Sequence, residues 1–376
     1  MSTPRNAEYT KLYNKKTFLR HLRVSALSRA ELARRMGLTR AATSLIAEEL
    51  IAEGLVTESP VASLARSGRP PIALSIAEDA AYALGVYLSR EGCSVGVVSL
   101  SGRVISRARF RLESEGKTEA LASHLSRLVE ATGIPREKLI GVGVSAPGPL
   151  DMERGRILNP PRFTLWHNTD VAEALSSRLQ LPVYVENNAS SLARYHLGKP
   201  EAEGSENFLL LLVDSGIGSG LVLDGKLFYG ATAFTGELGH TSIRYDGKIC
   251  ACGNRGCLEA YAAMPNLLAG SRFSSWEGVM NERLIAQDAL SLFEEELSYL
   301  SVGVVNLVNL LEIDTVLLSG DLRYEGEVTA KRLEALVNER ILRRDRKPLC
   351  VLPTHADADI KSLASADIVF DRYLRV

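Results

Sequence analysis

Four residues whose side chains bind transition metals lie close together in the sequence. They are His240, Cys250, Cys252 and Cys257, in the spacing H-x9-C-x-C-x4-C. Three thiolates and one imidazole suit tetrahedral zinc, and four protein ligands leave no open position for catalysis. Gly253 and Gly256 permit the tight turns that this spacing requires. The pattern predicts one structural zinc ion per chain, and the alternative is a group of three small buried cysteines.

Two acidic residues flank this cluster, Glu237 before His240 and Glu259 just after the last cysteine. A histidine that binds a metal through one ring nitrogen keeps the other nitrogen as a hydrogen-bond donor. Glu237, the free edge of His240 and Glu259 can therefore bind the hydroxyls of a sugar. The residues alone leave a second interpretation open, in which Glu237 is a surface acid and Glu259 only begins a helix.

A glycine-rich stretch, Asp214-Ser-Gly-Ile-Gly-Ser-Gly220, lies between two predicted strands. Backbone N–H groups of such a loop can hold a phosphate. The same stretch is equally compatible with a tight hairpin, so the motif does not decide between the two.

Two short helices near the amino terminus have clear capping signals. Ser28-Arg-Ala-Glu31 is a capping box that opens the first helix, and Gly37 supplies the turn after it. Thr39 caps the second helix, which is predicted over residues 40–53. Two capped helices joined by such a turn are typical of a helix-turn-helix.

The second helix of a helix-turn-helix enters the major groove of DNA. The residues expected nearest to base edges are Thr39, Arg40, Ala41 and Ser44. Arg40 is the best candidate for a guanine contact because its guanidinium matches O6 and N7. Two short strands are predicted next, and residues 60–71 between them form a predicted wing from which Arg66 and Arg69 can reach phosphate or the minor groove. The alternative is an ordinary three-helix packing element.

The charge distribution supports a basic amino-terminal part. Residues 1–75 contain twelve Lys and Arg against six Glu, a net charge of about +6, although the whole chain has a net charge of −1. A basic segment on an acidic body indicates a nucleic-acid-binding head, or alternatively a solvated basic face. The longest apolar run, residues 208–213, is too short to span a bilayer. With no recognisable leader peptide, the sequence predicts a cytoplasmic protein without a membrane partner.

The rest of the chain has two similar patterns of strands and helices. Three strands between residues 82 and 112 open the first α/β unit, and three between residues 207 and 230 open the second. Each unit continues with helices and buried strands, including a long helix over residues 287–311. The pattern predicts an internally duplicated α/β fold with a ligand in the cleft between the two units.

These motifs together resemble the ROK family of repressors, open reading frames and kinases. The resemblance is carried by residues 28–56, 67–71, 141–151, 185–193, 214–230 and 236–263. It implies a hexokinase/actin-like (RNase H-like) two-lobed α/β domain, here preceded by an N-terminal winged helix-turn-helix. It also implies a sugar site made of Pro147, Gly148, Asn187, Asn188, Glu237, His240 and Glu259.

Two motifs of the family's sugar kinases are altered in this sequence. The D-x-G-x-T motif, which binds ATP phosphates and magnesium, corresponds to residues 87–91, where Tyr87 replaces the acid. The kinase sequence Asn-Asp-Ala reads Asn187-Asn188-Ala189, and an amide cannot act as a general base near neutral pH. The resemblance therefore implies retained sugar binding without phosphoryl transfer. In the head, Thr43 replaces the branched apolar residue that is usual on the buried face.

The predicted organisation has three parts. Residues 1–77 form the winged helix-turn-helix, residues 78–190 the first lobe with a C-terminal helix (356–376) packed against it, and residues 191–355 the lobe with the zinc site and the dimer contact. The predicted function is repression of carbohydrate genes under the control of a sugar or sugar phosphate. Expected partners are operator DNA with an inverted repeat and further copies of the chain, as a homodimer or homotetramer. The alternatives are an active sugar kinase with a DNA-binding head and a repressor controlled by a protein partner.

Overall fold

The computed structural model describes residues 7–60, 72–112, 116–231, 234–355 and 359–376. Most of the predicted wing, including Arg66 and Arg69, lies outside the described residues. Among the helices of the described ranges, none is long and apolar enough to cross a lipid bilayer.

The amino-terminal part, the head, consists of three helices and an antiparallel hairpin. The elements are α1 (Ala7–Val24), α2 (Arg29–Met36), α3 (Arg40–Ala52), β1 (Val56–Pro60) and β2 (Ile72–Ile76). The predicted capping box is present, because the Glu31 N–H donates to Ser28 Oγ at 3.2 Å and the Ser28 N–H donates to Glu31 Oε2 at 2.9 Å. Gly37 ends α2 with φ 64°, a left-handed conformation that glycine adopts at little cost. The predicted pair of capped helices is confirmed.

The first large sheet follows the head. Its region contains β3 (Tyr82–Ser89), β4 (Gly92–Ser99), β5 (Val104–Phe110), α4 (Lys117–Glu130), β6 (Leu139–Ala146), β7 (Leu150–Asp151), β8 (Arg156–Ile157), α5 (Val171–Leu179), β9 (Val183–Asn187) and α6 (Asn188–His196). The strand order is β5-β4-β3-β6-β9, with β3, β4 and β5 antiparallel and β6 and β9 parallel to β3. Helices α4 and α5 contribute apolar residues to the core beneath this sheet.

The second large sheet repeats this topology. Its region contains β10 (Phe208–Val213), β11 (Ile217–Leu223), β12 (Lys226–Leu227), α7 (Glu259–Ala262), α8 (Met264–Leu267), α9 (Trp276–Glu282), α10 (Gln287–Leu311), β13 (Thr315–Gly320), α11 (Gly326–Asn338) and β14 (Cys350–Pro353). The order β12-β11-β10-β13-β14 has the same antiparallel and parallel pairings as the first sheet. The predicted duplication of the α/β unit is confirmed.

Two helices lie between the sheets. The last helix, α12 (Ile360–Leu374), packs on β3, β4 and β6, whereas α6 packs on β10 and β11, and the two helices contact each other. Gly85 allows α12 to approach β3 closely, because a Cβ there would collide with its backbone. Buried hydroxyls join the layers: Ser365 Oγ donates to Ser145 Oγ at 2.9 Å, and Ser145 Oγ donates to Ser191 Oγ at 2.8 Å.

The hydrophobic core of the head continues into α12. Phe18 and Leu19 of α1 belong to the same buried cluster as Leu363 and Phe370 of α12. These side chains are between 0% and 7% exposed. The head and the first sheet therefore share apolar packing and are not joined by a bare linker.

Candidate functional site

A cleft opens between the carboxyl ends of the two sheets. All seven predicted sugar-binding residues line it, namely Pro147, Gly148, Asn187, Asn188, Glu237, His240 and Glu259. The structure thus brings together residues that are spread over more than one hundred positions of the sequence. Clefts at the carboxyl ends of strands are the usual ligand-binding places of α/β folds.

Asn187 and Asn188 reach the cleft because β9 ends there and α6 begins there. The Asn187 side chain caps α6 and accepts hydrogen bonds from the N–H groups of Ala189 at 2.8 Å and Ser190 at 3.4 Å. Asn188 Nδ2 donates to Leu88 O at 3.0 Å. Asn188 Oδ1 is buried without a hydrogen-bond partner among the described residues. Its free acceptor is suited to a ligand hydroxyl.

The two acids of the cleft differ in their surroundings. Glu259, the first residue of α7, is 4% exposed and accepts a hydrogen bond from the Ile217 N–H at 2.9 Å. Glu237 is half-buried, so its interpretation as a surface acid is wrong. Burial raises the pKa of Glu237, His240 opposes this shift, and Glu259 adds to it. A Cβ on Gly148 would lie 2.9 Å from Glu237 Oε1, so glycine lets this carboxylate approach the backbone.

The glycine-rich stretch forms the turn between β10 and β11. The two strands pair antiparallel from Phe208↔Val222 to Val213↔Ile217, and the Gly216 N–H donates to Asp214 Oδ1 at 3.2 Å. The backbone is therefore a hairpin, and its turn forms part of the cleft wall.

Tyr87, which has the position of the acid in the kinase motif, lies in a buried apolar cluster together with Ala189 and Leu212, which line the cleft. Tyr87 is 1% exposed, and its hydroxyl has no hydrogen-bond partner in the described part of the chain. The Lys361 ammonium of α12 lies 5.1 Å from the centre of its ring. Burial raises the pKa of Tyr87 well above its usual range, and Asp214 and Glu91 add to this shift. A buried neutral phenol thus takes the place of a metal-binding carboxylate.

Several residues of the cleft wall were not predicted as site residues. They include Ser89, Arg90, Pro161 and Ile217. The sequence indicates a turn near Arg90, but no local signal shows that this side chain points toward Pro161, whose carbonyl accepts a hydrogen bond from Arg90 Nη2 at 2.8 Å. The direction of the side chain depends on packing between distant segments.

The four candidate metal ligands converge as the spacing predicts. One ligand atom from each residue lies within 4.8 Å of the others. Cys250 Sγ is 3.6 Å from His240 Nδ1, and Cys252 Sγ is 3.8 Å from Cys257 Sγ. Around a tetrahedral zinc, bond lengths of about 2.3 Å to sulfur and 2.0–2.1 Å to nitrogen separate two sulfurs by about 3.8 Å and a sulfur from a nitrogen by about 3.6 Å. The cluster can bind a metal ion, and the donor set and distances fit zinc.

Glycines and backbone hydrogen bonds shape this loop. Gly253 and Gly256 have φ of 93° and 69°, and a Cβ on Gly256 would collide with the backbone of Arg244. The Cys250 N–H donates to Asn254 O at 2.8 Å, and the Gly253 N–H donates to Cys250 O at 3.0 Å. These turns bring the cysteines to the same side of the loop as His240.

The predicted recognition helix, α3, exposes the residues assigned to DNA contact. Thr39, Arg40 and Ala41 are exposed and Ser44 is half-buried. Leu45, which was not predicted as a contact, is 62% exposed on the same helix.

The opposite face of α3 packs into the head. Thr43 is 0% exposed, and its hydroxyl donates to Thr39 O at 3.0 Å, which explains how a polar residue is accommodated there. Thr39 Oγ1 accepts from the Ala42 N–H at 3.2 Å, as predicted for a helix cap.

Some basic residues of the head form ion pairs with acidic residues of the head. Lys15 pairs with Glu49 at 2.7 Å, and Arg29 pairs with Glu58 at 2.5 Å. Within the described residues, Arg34, Arg35 and Arg40 have no ion pair and lie exposed on α2 and α3. These guanidinium groups are available to phosphates and bases.

Comparison with known proteins gives consistent matches. The chain is 26% identical to the xylose repressor of Bacillus subtilis over 97% of each chain, and 32% identical to the glucokinase of Thermotoga maritima over 48% of this chain and 56% of the kinase. Its fold matches the solved structure of a ROK family transcriptional regulator, a homologue of the E. coli Mlc protein, with a TM-score of 0.78, 21% identity and coverage of 97% of this chain and 98% of the regulator. Residues 83–369, well over half of the chain, match the ROK family. This protein is a member of the ROK family.

Proposed function

We propose that this protein is a transcriptional repressor whose affinity for operator DNA is controlled by a sugar bound between its two lobes. The observation that carries the proposal is the convergence of all seven predicted hydroxyl-binding residues in one cleft of a chain that begins with a helix-turn-helix. The full-length similarity to a xylose repressor supports the same function.

The cleft has the chemistry of a sugar site. Glu237 and Glu259 supply carboxylate oxygens that accept from hydroxyls, and Asn188 supplies a free amide oxygen. Pro147 and Gly148 bring backbone close to the same space. Several fixed polar groups around a small cleft can recognise a polyol by the positions of its hydroxyls.

A structural zinc ion would stabilise one wall of this site. His240, Cys250, Cys252 and Cys257 would hold it, with no ligand position left for substrate. Zinc would supply structural cross-linking and fix the orientation of the His240 ring, whose other nitrogen can then bind a hydroxyl. The metal loop and the sugar site are therefore parts of one structure, joined at a single histidine.

The head would bind DNA through α3. Arg40, Ser44 and Leu45 lie on its accessible side, where a guanidinium, a hydroxyl and a methyl-bearing side chain can contact base edges. Arg34 and Arg35 would contact phosphates. A dimer presents two such helices, so the operator would be an inverted repeat with half-sites separated by whole helical turns.

A contact route connects the sugar cleft with the head. Asn187 and Asn188 begin α6, and Arg194 on the same helix pairs with Asp371 of α12 at 2.8 Å. Arg23 of α1 pairs with Asp367, one turn earlier on α12, at 2.6 Å. A ligand that shifts α6 relative to α12 would change the position of the head, provided that it binds one arrangement more tightly than the other.

The test measures DNA binding and sugar response with the same full-length protein. Operator DNA is selected in vitro from random sequences, and fluorescence anisotropy then measures Kd with and without xylose, glucose, N-acetylglucosamine and their phosphates. We expect specific binding of an inverted repeat and a Kd that one class of sugar changes at least about fivefold, the lower end of usual allosteric couplings. Arg40→Ala should weaken binding and relax specificity at one base position, whereas Arg127→Ala on α4 should leave both unchanged.

The glucokinase relative makes an active kinase the second candidate. Tyr87 and Asn188 stand against it, because a buried phenol and an amide replace two carboxylates that phosphoryl transfer needs. Sugar-dependent release of ADP from ATP by the purified protein would favour the kinase. Specific DNA binding without response to any sugar would favour control by a protein partner.

A further inference from the structure

The sugar cleft continues into a second cavity, which we call the annex. It has a volume of about 450 Å³ and is bounded by Arg90, Gly92, Arg111, Arg162, Phe163 and Trp166. Ser89 and Arg90 line both cavities, so a ligand in the cleft can extend past them into the annex. The turn between β3 and β4, which carries Arg90, forms the shared wall.

Three arginines and one acid, Glu91, line the annex, and none of the three arginines is paired with a carboxylate. Arg90 donates to Pro161 O at 2.8 Å, Arg111 to Glu91 O at 3.0 Å, and Arg162 to Asn266 Oδ1 at 3.1 Å. All these acceptors are neutral, and among the described residues none of the three arginines forms an ion pair. The positive charge at the annex is therefore available to an anion.

The main cleft has the opposite charge. Glu237, Glu259 and Asp214 line it, with Arg90 at its border with the annex, and the excess of carboxylates would repel an anion while accepting hydrogen bonds from neutral hydroxyls. A ligand with hydroxyls at one end and negative charge at the other matches this division. Its anionic group would lie at the arginines and its hydroxyls at the acids.

The backbone places Arg90 and Arg162 at this boundary for local reasons. Gly216 has no side chain, and a Cβ there would collide with Arg90 Nη1 and lie 2.8 Å from Glu259 Oε2, so the guanidinium reaches the junction of the two cavities. Arg162 adopts φ 58°, a left-handed conformation that is unfavourable for a residue other than glycine. Asn188, the hydroxyl-binding amide, bonds to Leu88 O, two residues before Arg90.

We propose that the effector is an anionic monosaccharide whose charged group binds Arg90, Arg111 and Arg162 in the annex. This inference rests on the proposed sugar-controlled function and names its ligand class. The anion is either a phosphoryl group or a sugar carboxylate, since guanidinium groups bind both.

Isothermal titration calorimetry of the full-length protein tests this with matched sugars. The probes are glucose, glucose 6-phosphate and glucuronate; N-acetylglucosamine and its 6-phosphate; xylose and xylose 5-phosphate; and inorganic phosphate alone. In at least one set, the anionic sugar should bind about tenfold more tightly than the neutral one, and this ratio should decrease with added salt. The phosphate and the carboxylate arms distinguish the two sources of charge.

Variants test the assignment of residues. The double variant Arg90→Gln, Arg111→Gln should reduce the neutral-to-anionic ratio of Kd toward one, and the single variant Arg162→Gln should reduce it less because two arginines of the annex remain. Arg127→Gln, an exposed arginine on the same lobe, should leave the ratio unchanged. Circular dichroism verifies that each variant is folded.

The outcomes separate this inference from the proposed function. Neutral sugars that bind as tightly as their anionic partners overturn the annex assignment and leave the repressor proposal intact. Inorganic phosphate that binds as tightly as a sugar phosphate overturns the link between anion and sugar. If no sugar of either kind binds to protein that still binds operator DNA, both the annex and the sugar-controlled function are wrong.

Discussion

The two ends of the interlobe cleft have kept different parts of a kinase-like site. At the sugar end, Glu237, Glu259 and the Asn187 cap keep the residue types that bind hydroxyls, and they line one continuous surface. We call the region of Tyr87 and Lys361 the phosphate end. Tyr87 has the position of the acid in the kinase motif, its phenol is buried, and the Lys361 ammonium lies over its ring. If the proposed function is correct, the fold retains the groups that recognise a ligand and lacks those that would activate it.

This difference shows that binding and chemistry depend on separable groups. Hydroxyl recognition needs fixed acceptors, which carboxylates and amides supply without any change of protonation. Phosphoryl transfer also needs bound magnesium and a base of suitable pKa. In the proposed function, Tyr87 and Asn188 would remove the second set without disturbing the first, and the binding energy would then be available to bias the arrangement of the lobes.

The largest expected effect comes from the metal loop that supports the sugar end. Cys252→Ser should reduce bound zinc from one ion per chain to none, and it should lower Tm by about 5–10 °C because metal binding is coupled to folding of the loop. Elemental analysis and differential scanning calorimetry measure the two effects. Cys350→Ser, at an exposed cysteine far from the cluster in sequence, is the matched control. Native folding of the wild-type protein with no bound metal would contradict the prediction.

The next effect concerns the sugar end itself. Glu259→Gln keeps the size of the side chain and an acceptor for the Ile217 N–H, but it removes the charge that strengthens hydrogen bonds from hydroxyls. Affinity for the effector should fall about 10- to 100-fold in calorimetry. Glu277→Gln, an exposed acid on α9, should bind normally. Equal affinities of the two variants would remove Glu259 from the site.

The features of the site whose geometry depends on short stretches of sequence could be predicted from the sequence. The metal ligands lie within eighteen residues of each other, and the capping boxes within four, so their geometry follows from short segments. Tyr87 and Asn188 were recognised by their positions in motifs. Local patterns also predicted the three strands that open each unit.

Features that depend on distant packing could not be predicted in this way. The direction of the Arg90 side chain depends on Pro161 and on the missing side chain of Gly216. The packing of α6 against α12 depends on segments more than 160 residues apart. Leu45 is apolar, and only the tertiary arrangement of the head leaves it exposed. Each of these features arises where two segments meet, and neither segment alone specifies it.

A smaller effect is expected at the phosphate end. Burial raises the pKa of Asp214, while Lys361 opposes this shift and Glu91 adds to it. Because the pKa in the folded state is above the unfolded value of about 3.9, native stability decreases as the pH rises from that value through the native pKa. Asp214→Asn removes this ionisation and should stabilise the protein at pH 7.5 and not at pH 4.

Thermal unfolding at the two pH values measures this difference, with Asp345→Asn, an exposed acid, as the control. A variant that is less stable than the wild type at pH 7.5 would show that the Asp214 carboxylate has a favourable partner. A favourable ionic contact at the phosphate end would then outweigh the cost of burying the Asp214 carboxylate.

For the last variant, Asn188→Asp, we expect no change in the rate of ADP release. This substitution restores the residue type of the kinase base, and a general base alone contributes about 10²- to 10⁴-fold to a rate. The contribution requires ATP and magnesium to be in place, and Tyr87 still supplies no carboxylate for them. An aspartate also cannot donate to Leu88 O, which now accepts from Asn188 Nδ2 at 3.0 Å, so its carboxylate would face a carbonyl oxygen. A coupled assay of ADP release, with a ROK glucokinase as positive control, should therefore show only background turnover for both the wild type and the variant. Sugar-dependent turnover by Asn188→Asp would mean that the phosphate end remains competent and that a single amide separates this repressor from a kinase.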